Sequence, residues 1–268
     1  MNTQIISPLT VAQCLQQFRT VRPLVHCLTN EVVQEITANV LLAAGASPAM
    51  VVCREEVESF VKISQALLVN LGTPTSERLP TMYAAVEAAN KADVPWVLDP
   101  VAAGAIPWRD RLIHSFLELH PTVVRGNASE IMTMAGEAGG GKGVDSTQSS
   151  NNAIVAAQAI ATLYHTIVCV TGETDYVTDG DNTLAVPGGS PMATLVVGTG
   201  CSLSALVAGF VGVKRTIESV ASACALAKQA AQFAALNAKG PGSFHVYYLD
   251  GLYQIQSEHF VPNYDNNN

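Results

Sequence analysis

Charge is scarce in this chain. Asp, Glu, Lys and Arg make up 13% of its 268 residues, and Phe, Trp and Tyr only 6%. Its 14 basic residues face 22 acidic ones, for a formal charge of -8, and form no basic run. That balance excludes a nucleic-acid partner, which needs a concentrated positive face to neutralise phosphates. No membrane span is expected, because the apolar stretch Leu203 to Val213 ends at Lys214-Arg215, short of the roughly 20 residues a spanning helix requires. The six cysteines contain no C-x-x-C pair, and several lie in apolar runs. Free thiols there pack as small hydrophobes, so a reducing, cytoplasmic compartment is expected. The opening MNTQIISPLT lacks the basic start and apolar core of a secretion signal. A dinucleotide-binding G-x-G-x-x-G is also missing.

What is abundant is apolar surface: hydrophobic residues reach 49%. Such a composition suits strands and helices covered on both sides, or a subunit interface. Short β-branched runs alternate with helix-like segments, which predicts βαβ units, a mainly parallel sheet with helices on both faces, and one α/β domain over residues 1–268. Strands are expected at 25–30, 49–52, 66–72, 95–100, 122–127 and 167–172. Each ends in a polar group, and those ends should share one rim, where open α/β sheets bind ligands.

Helices are expected around 31–44, 55–64, 76–92, 109–119, 128–136 and 147–164, with Ser76, Asn127 and Ser146 as caps. YVTDGDNTLAV reads as a hairpin bending at Asp179-Gly180, and the chain after Thr199 as nearly all helix. The glycine-rich stretch 136–152 reads as a surface loop, and the tail from about 263 to 268 as disordered.

Two glycine turns could hold phosphate. Gly136-x-x-x-x-Gly141-Lys142 has Walker A spacing, but Gly143 follows where Ser or Thr is needed, so a plain loop is the stronger reading. Gly198-Thr199-Gly200-Cys201 runs directly into the apolar CSLSALVAGFVG. Its amides would open a buried helix, where unsatisfied N–H groups and the helix dipole attract anions. Tight helix packing through small residues is the competing explanation.

Several rim residues bear on that choice. Asp99 follows the run PWVL, and Glu130 lies three residues after Asn127, a capping-box spacing. Two separated carboxylates near a phosphate loop also suit Mg2+, which binds directly or through retained waters. Arg125 ends an apolar strand, where a charge needs a carboxylate or a phosphate. Thr171-Gly172 offers a hydroxyl and an amide to a nucleotide, or simply a turn.

VLDPVAAG, RGNASEI, VTGETDYVTDG and GTGCSLSALVAGF, in that order, together with HCLTNEVVQEITANVLLAAGASPAM, resemble the hydroxyethylthiazole kinase family of the ribokinase-like superfamily over nearly the whole chain. The resemblance implies ATP-dependent phosphorylation of 4-methyl-5-(2-hydroxyethyl)thiazole in thiamine salvage. It further implies that Met50 and Gly198 line the thiazole site, with Asn30 a further pocket candidate. Arg125 and Thr171 would contact ATP, Asp99 and Glu130 would serve Mg2+, and the Gly198–Cys201 amides would form an anion hole. A homotrimer with active sites between subunits is implied as well. His26, alone in an apolar strand, is expected to be structural.

Most ribokinase-like enzymes carry aspartate where this chain has Cys201. A helix N-terminus can lower a thiol pKa, so Cys201 could act as a thiolate base or only position the hydroxyl. Other ribokinase-like enzymes, such as a hydroxymethylpyrimidine kinase or a hydrate dehydratase, are alternatives, as is a non-catalytic nucleotide sensor.

Overall fold

Strand segments that read as unbroken apolar runs alternate between two cores. Leu68 joins one core, and its neighbours Leu67 and Val69 join the other. This is the pattern of strands covered on both faces. The computed structural model describes residues 3–136 and 146–261, without the side chains of 146–150. Gly141 and Lys142 of the Walker-like loop, the Ser146 side chain and the tail from residue 262 lie outside the described residues.

The strands are β1 (Thr3–Ile5), β2 (Leu24–Leu28), β3 (Ser47–Ala49), β4 (Ala66–Asn70), β5 (Trp96–Asp99), β6 (Val123–Asn127), β7 (Ile167–Thr171), β8 (Thr174–Thr178) and β9 (Thr183–Pro187). The helices are α1 (Pro8–Val21), α2 (Gln34–Ala44), α3 (Arg54–Val61), α4 (Leu79–Lys91), α5 (Pro107–Leu117), α6 (Ala128–Met134), α7 (Ser146–Tyr164), α8 (Thr199–Val213), α9 (Ile217–Asn237) and α10 (Pro241–Gln254). The strands form one sheet in the order β1-β9-β8-β7-β6-β5-β4-β2-β3. All neighbours are parallel except that β8 runs antiparallel to β7 and to β9. Helices α1, α2, α8, α9 and α10 cover one face, and α3 to α7 the other.

The chain passes from β2 outward to β3, then returns to the opposite side of β2 as β4. Helix α2 lies on one face and α3 and α4 on the other. The reversal makes the β2–β4 boundary a topological switch point, where the carboxyl ends of open α/β sheets leave a crevice.

Helix α8 has no polar side to turn to water: every residue from Ser202 to Val211 is buried. A helix apolar all round belongs in an interior. Phe210 stacks on Phe18 of α1 at 4.3 Å. A Cβ on Gly209 would come within 2.8 Å of Phe18, and one on Gly212 within 2.9 Å of the Gln65 carbonyl, so backbone approaches neighbour directly at both glycines. At 15 residues α8 is too short for a membrane, and no described helix is long and apolar enough to cross one.

The hairpin bends as expected, with Gly180 at φ +103° and Asp179 Oδ1 accepting from the amides of Asp181 and Asn182. Asn127 caps α6 through a complete capping box with Glu130. Other expectations are corrected. The strand expected at 49–52 is Ser47–Ala49, because pairing with β2 ends at His26 opposite Ala49. Ser76 does not cap α4; Arg78 holds that place and its amide is met by the Thr75 hydroxyl. The helix expected from 31 starts as a 3-10 turn at Glu31–Val33, capped by Asn30. Strand β1 and helix α1 were not expected at all.

Candidate active site

The carboxyl ends of β2, β4, β5, β6 and β7 meet the first turn of α8. Asn30 follows β2, Asn70 ends β4, Asp99 ends β5, Arg125 lies in β6 and Thr171 ends β7. Asn30, Asn70 and Asp99 are buried, whereas Arg125, Glu130, Thr171 and Gly198 to Cys201 are half-buried. The site thus has a polar floor under a partly open rim.

The floor is one hydrogen-bonded chain. Asn30 Nδ2 donates to Asn70 Oδ1 at 2.9 Å and approaches Cys201 Sγ at 3.6 Å. Asn70 Nδ2 donates to Asp99 Oδ2 at 2.6 Å, and the Ser204 hydroxyl donates to the same oxygen at 2.8 Å. Burial pushes the Asp99 carboxyl up to about 6; the Arg125 charge and these hydrogen bonds pull it down, while Glu130 adds to the rise.

The rim presents the N-terminus of α8. Gly198 caps α8 at φ +88°, a left-handed conformation natural to glycine. A Cβ there would lie 2.5 Å from Ile36 Cγ2 and 3.0 Å from Val33 Cγ1, so size as well as conformation requires glycine. The first intrahelical bond runs from Ser202 N–H to Gly198 O at 2.8 Å. The amides of Thr199, Gly200 and Cys201 precede it, at the positive end of the helix dipole. The Thr199 hydroxyl donates backward to Ala193 O at 2.9 Å, so Thr199 offers the cleft only its amide.

Arg125 reaches the rim from below. Its Nη2 donates to Thr171 Oγ1 at 2.6 Å, and its Nη1 would lie 3.2 Å from a Cβ on Gly200. Burial opposes the guanidinium charge, but Asp99, Cys169, Glu130 and Asp175 outweigh it and raise its pKa. Beside it, the Lys228 ammonium lies 3.2 Å from buried Asp175 and donates to the carbonyls of Gly172, Glu173 and Gly188. Asp175 in turn accepts from the Gly172 amide at 2.9 Å, which fixes the turn after β7.

Glu130 serves two structural ends at once: Oε2 accepts from Asn127 N–H at 2.8 Å and Oε1 from Ala102 N–H at 3.0 Å. Among the described residues both hydrogen bonds to Asp99 fall on Oδ2, which leaves Oδ1 for a ligand. Glu130 adds to the rise in the Asp99 pKa, so the two carboxylates are near enough to repel each other. Among the described residues no cluster of three or more His, Cys, Asp or Glu side chains could hold a metal, so a cation beside this pair would have to keep most of its waters.

Burial first, and the Asp99 charge second, push the Cys201 thiol up, against the pull of the Asn70 and Asn30 amides and Arg125. The thiol is thereby held above its ordinary range and is protonated at neutral pH. Met50 stands outside the network, half-buried one residue beyond β3. His26 is buried, with Nε2 2.7 Å from Val51 O and its ring edge-on to Phe60, and burial lowers its pKa. It is structural, as expected. Asn70, Ser204, Asp175 and Lys228 were not anticipated. Asn70 alone carried a signal, as the polar end of the run ALLVN.

A doubly wound sheet that gathers a helix N-terminus, a guanidinium and two carboxylates at one rim is the arrangement of a ribokinase-like small-molecule kinase. A ribokinase-like superfamily protein from Enterococcus faecalis shares this fold, with a TM-score of 0.69 at 14% identity, over 95% of this chain and 97% of that one. The chain belongs to the hydroxyethylthiazole kinase family, whose model matches residues 15–258. A hydroxyethylthiazole kinase from Citrobacter koseri is 51% identical over 262 residues, 97% of this chain and 100% of the relative. The structure of the hydroxyethylthiazole kinase protein from Pyrococcus horikoshii superposes with a TM-score of 0.87 at 38% identity, covering 95% of this chain and 96% of that one.

Proposed function

We propose that this enzyme transfers the γ-phosphoryl group of ATP to the hydroxyl of 4-methyl-5-(2-hydroxyethyl)thiazole, giving the thiazole phosphate and ADP in thiamine salvage. One observation carries the reading at the level of this chain: the Arg125 guanidinium packs against the first turn of α8 at Gly200. Amides and guanidinium together would neutralise the three oxygens of a phosphoryl group in transit.

In this reading Arg125 and Thr171 meet the ATP phosphates, and Asn30, Met50 and Gly198 line the thiazole pocket. Asp99 and Glu130 would hold Mg2+, which supplies charge neutralisation between the phosphates when bound. Phosphoryl transfer passes through a loose transition state, in which the bond to the leaving ADP oxygen is largely broken before the alcohol oxygen bonds. The hydroxyl proton is therefore lost late, to an oxygen of the transferred phosphoryl group or to water. A protonated Cys201 suits this course as the residue that positions the alcohol. Six free thiols accord with a cytoplasmic enzyme, and the exposed Val32, Leu195 and Val197, close in sequence to Asn30 and Gly198, accord with a homotrimer whose sites lie between subunits.

The test is ADP release with and without the thiazole alcohol, with the product's mass measured. Thiazole-dependent ADP and a phosphorylated thiazole are expected. Nucleotide binding without turnover, or turnover only with a hydroxymethylpyrimidine, would overturn the proposal.

A further inference from the structure

The side-chain amide of Asn70 has only one possible orientation. Its Oδ1 accepts from the Gly72 amide at 2.9 Å, and a backbone N–H can only donate. Its Nδ2 must then face Asp99 Oδ2, 2.6 Å away. Asn30 is fixed in the same manner, since its Oδ1 accepts from the Val32 amide at 3.1 Å and its Nδ2 is left to donate to Asn70 Oδ1. Two backbone amides thus dictate the direction of every hydrogen bond between the pocket and the carboxylate.

Asn70 also occupies a singular place in the fold. It ends β4 directly beside the switch point, and the Asn30–Asn70 bond spans the β2–β4 boundary where the crevice opens. Gly72 closes over the pair: a Cβ there would fall 2.6 Å from Asn30 Nδ2, so only glycine lets the chain lie against that amide. Both asparagines are at most 5% exposed, and a buried amide that loses its partner cannot turn to water instead.

We infer that Asn70 is a positioning residue for phosphoryl transfer: through one locked amide it holds Asn30 of the acceptor pocket and the Asp99 carboxylate in a fixed mutual arrangement. The inference rests on the kinase reading above. Its content is that the alcohol side and the cation-facing side of the site are set by the same side chain, acting with its oxygen on one and its nitrogen on the other.

The two halves of the amide can be separated. Asn70→Asp keeps an oxygen for Gly72 and Asn30 but replaces the donor to Asp99 with a second acceptor. Asn70→Ala removes both. At pH 8, Asn70→Asp is expected to keep the thiazole KM within about threefold of wild type and to lose about tenfold or more in kcat, the scale of a hydrogen bond to a charged group. Asn70→Ala is expected to lose kcat similarly and to raise the thiazole KM about fivefold or more, with the ATP KM of both variants unchanged. Calorimetric binding of the thiazole alcohol to metal-free protein should follow the same split, weakened in Asn70→Ala and retained in Asn70→Asp.

A purely architectural role predicts otherwise, because a smaller folded fraction lowers apparent kcat and leaves every KM intact. Equal behaviour of the two variants, wild-type kinetics in either, or loss confined to the ATP KM would overturn the inference. If wild-type protein itself shows no thiazole-dependent ADP release, the kinase reading falls, and the inference falls with it. Should Asn70→Ala fail to fold, the aspartate variant alone still decides: an unchanged kcat refutes the donor half.

Discussion

Arg125 and Gly200 are packed so closely that a methyl group on the glycine would meet Nη1 at 3.2 Å and Nη2 at 3.4 Å. The guanidinium is anchored on Thr171, so it has little freedom to retreat. Gly200→Val should therefore abolish turnover, by at least about 10²-fold as for loss of one donor to a developing charge, in a protein that remains folded. Steady-state kinetics with a parallel circular-dichroism spectrum decides this, and a folded variant with normal kcat would refute it.

Gly198 is constrained differently, by backbone conformation and by Ile36 and Val33. Gly198→Ala combines a strained positive φ with overpacking, and the expected loss of stability is about 2–4 kcal/mol. Urea unfolding measures it. A loss below about 1 kcal/mol would mean that the turn relaxes freely.

Cys201 tests the chemistry. Because burial keeps its thiol protonated, Cys201→Ala should cost less than the roughly 10²–10⁴-fold expected of a dedicated general base. Cys201→Asp should retain substantial activity, since Asn30 and Asn70 already point donors at this position. Single-turnover rates decide both. An inactive aspartate variant would sink the second expectation, and a larger alanine loss the first.

Asp99 gives the stability a pH dependence. Its folded pKa of about 6 stands above its ordinary 3.8 because of burial. Between those values the folded state binds more protons at Asp99 than the unfolded one, so the contribution of Asp99 to stability falls as pH rises from about 4 to 6 and is level above. The full cost of the buried charge is on the order of 3 kcal/mol. In metal-free buffer, Asp99→Asn should match wild type near pH 4 and exceed it by a few kcal/mol at pH 7. Added Mg2+ should raise wild-type Tm more at pH 7 than at pH 5. A stability difference that does not grow with pH would contradict the sign.

Lys228 neutralises buried Asp175 and ties three carbonyls together. Lys228→Met leaves that carboxylate unpaired, at an expected cost of about 3–5 kcal/mol. It should also raise the ATP KM, because the Gly172 turn beside Thr171 loses its anchor. An unchanged urea midpoint would show the ion pair to be dispensable.

The sheet and its rim were readable because β-branched runs ending in polar groups are a local signal, and because neighbouring strands place Arg125 next to Thr171 whatever the details. Strand β1 escaped notice because all three of its residues are exposed and carry no burial pattern. Helix α1 sits in an N-terminal segment whose polar surface hides its few buried positions. Ser204 was invisible among the small apolar residues of α8, since only the tertiary fold brings it to Asp99. Asn70 was visible as a strand end, but its two-sided bonding depends on the crossing of β2 and β4. The capping box at Glu130 was legible as a motif, while its second grip on Ala102 was not. At Cys201 the depth of burial, which raises the thiol pKa, could not be read from the local sequence.

Helix α8 is clamped by strands beneath it and by α1, α2 and α9 around it, with glycines at Gly209 and Gly212 that leave no slack. The turn at its head is continuous with that buried helix. The helix body serves as an anvil, and adjustment during the reaction falls to what is laid upon it: the nucleotide, the alcohol, and the loops that follow β4, β5 and β9.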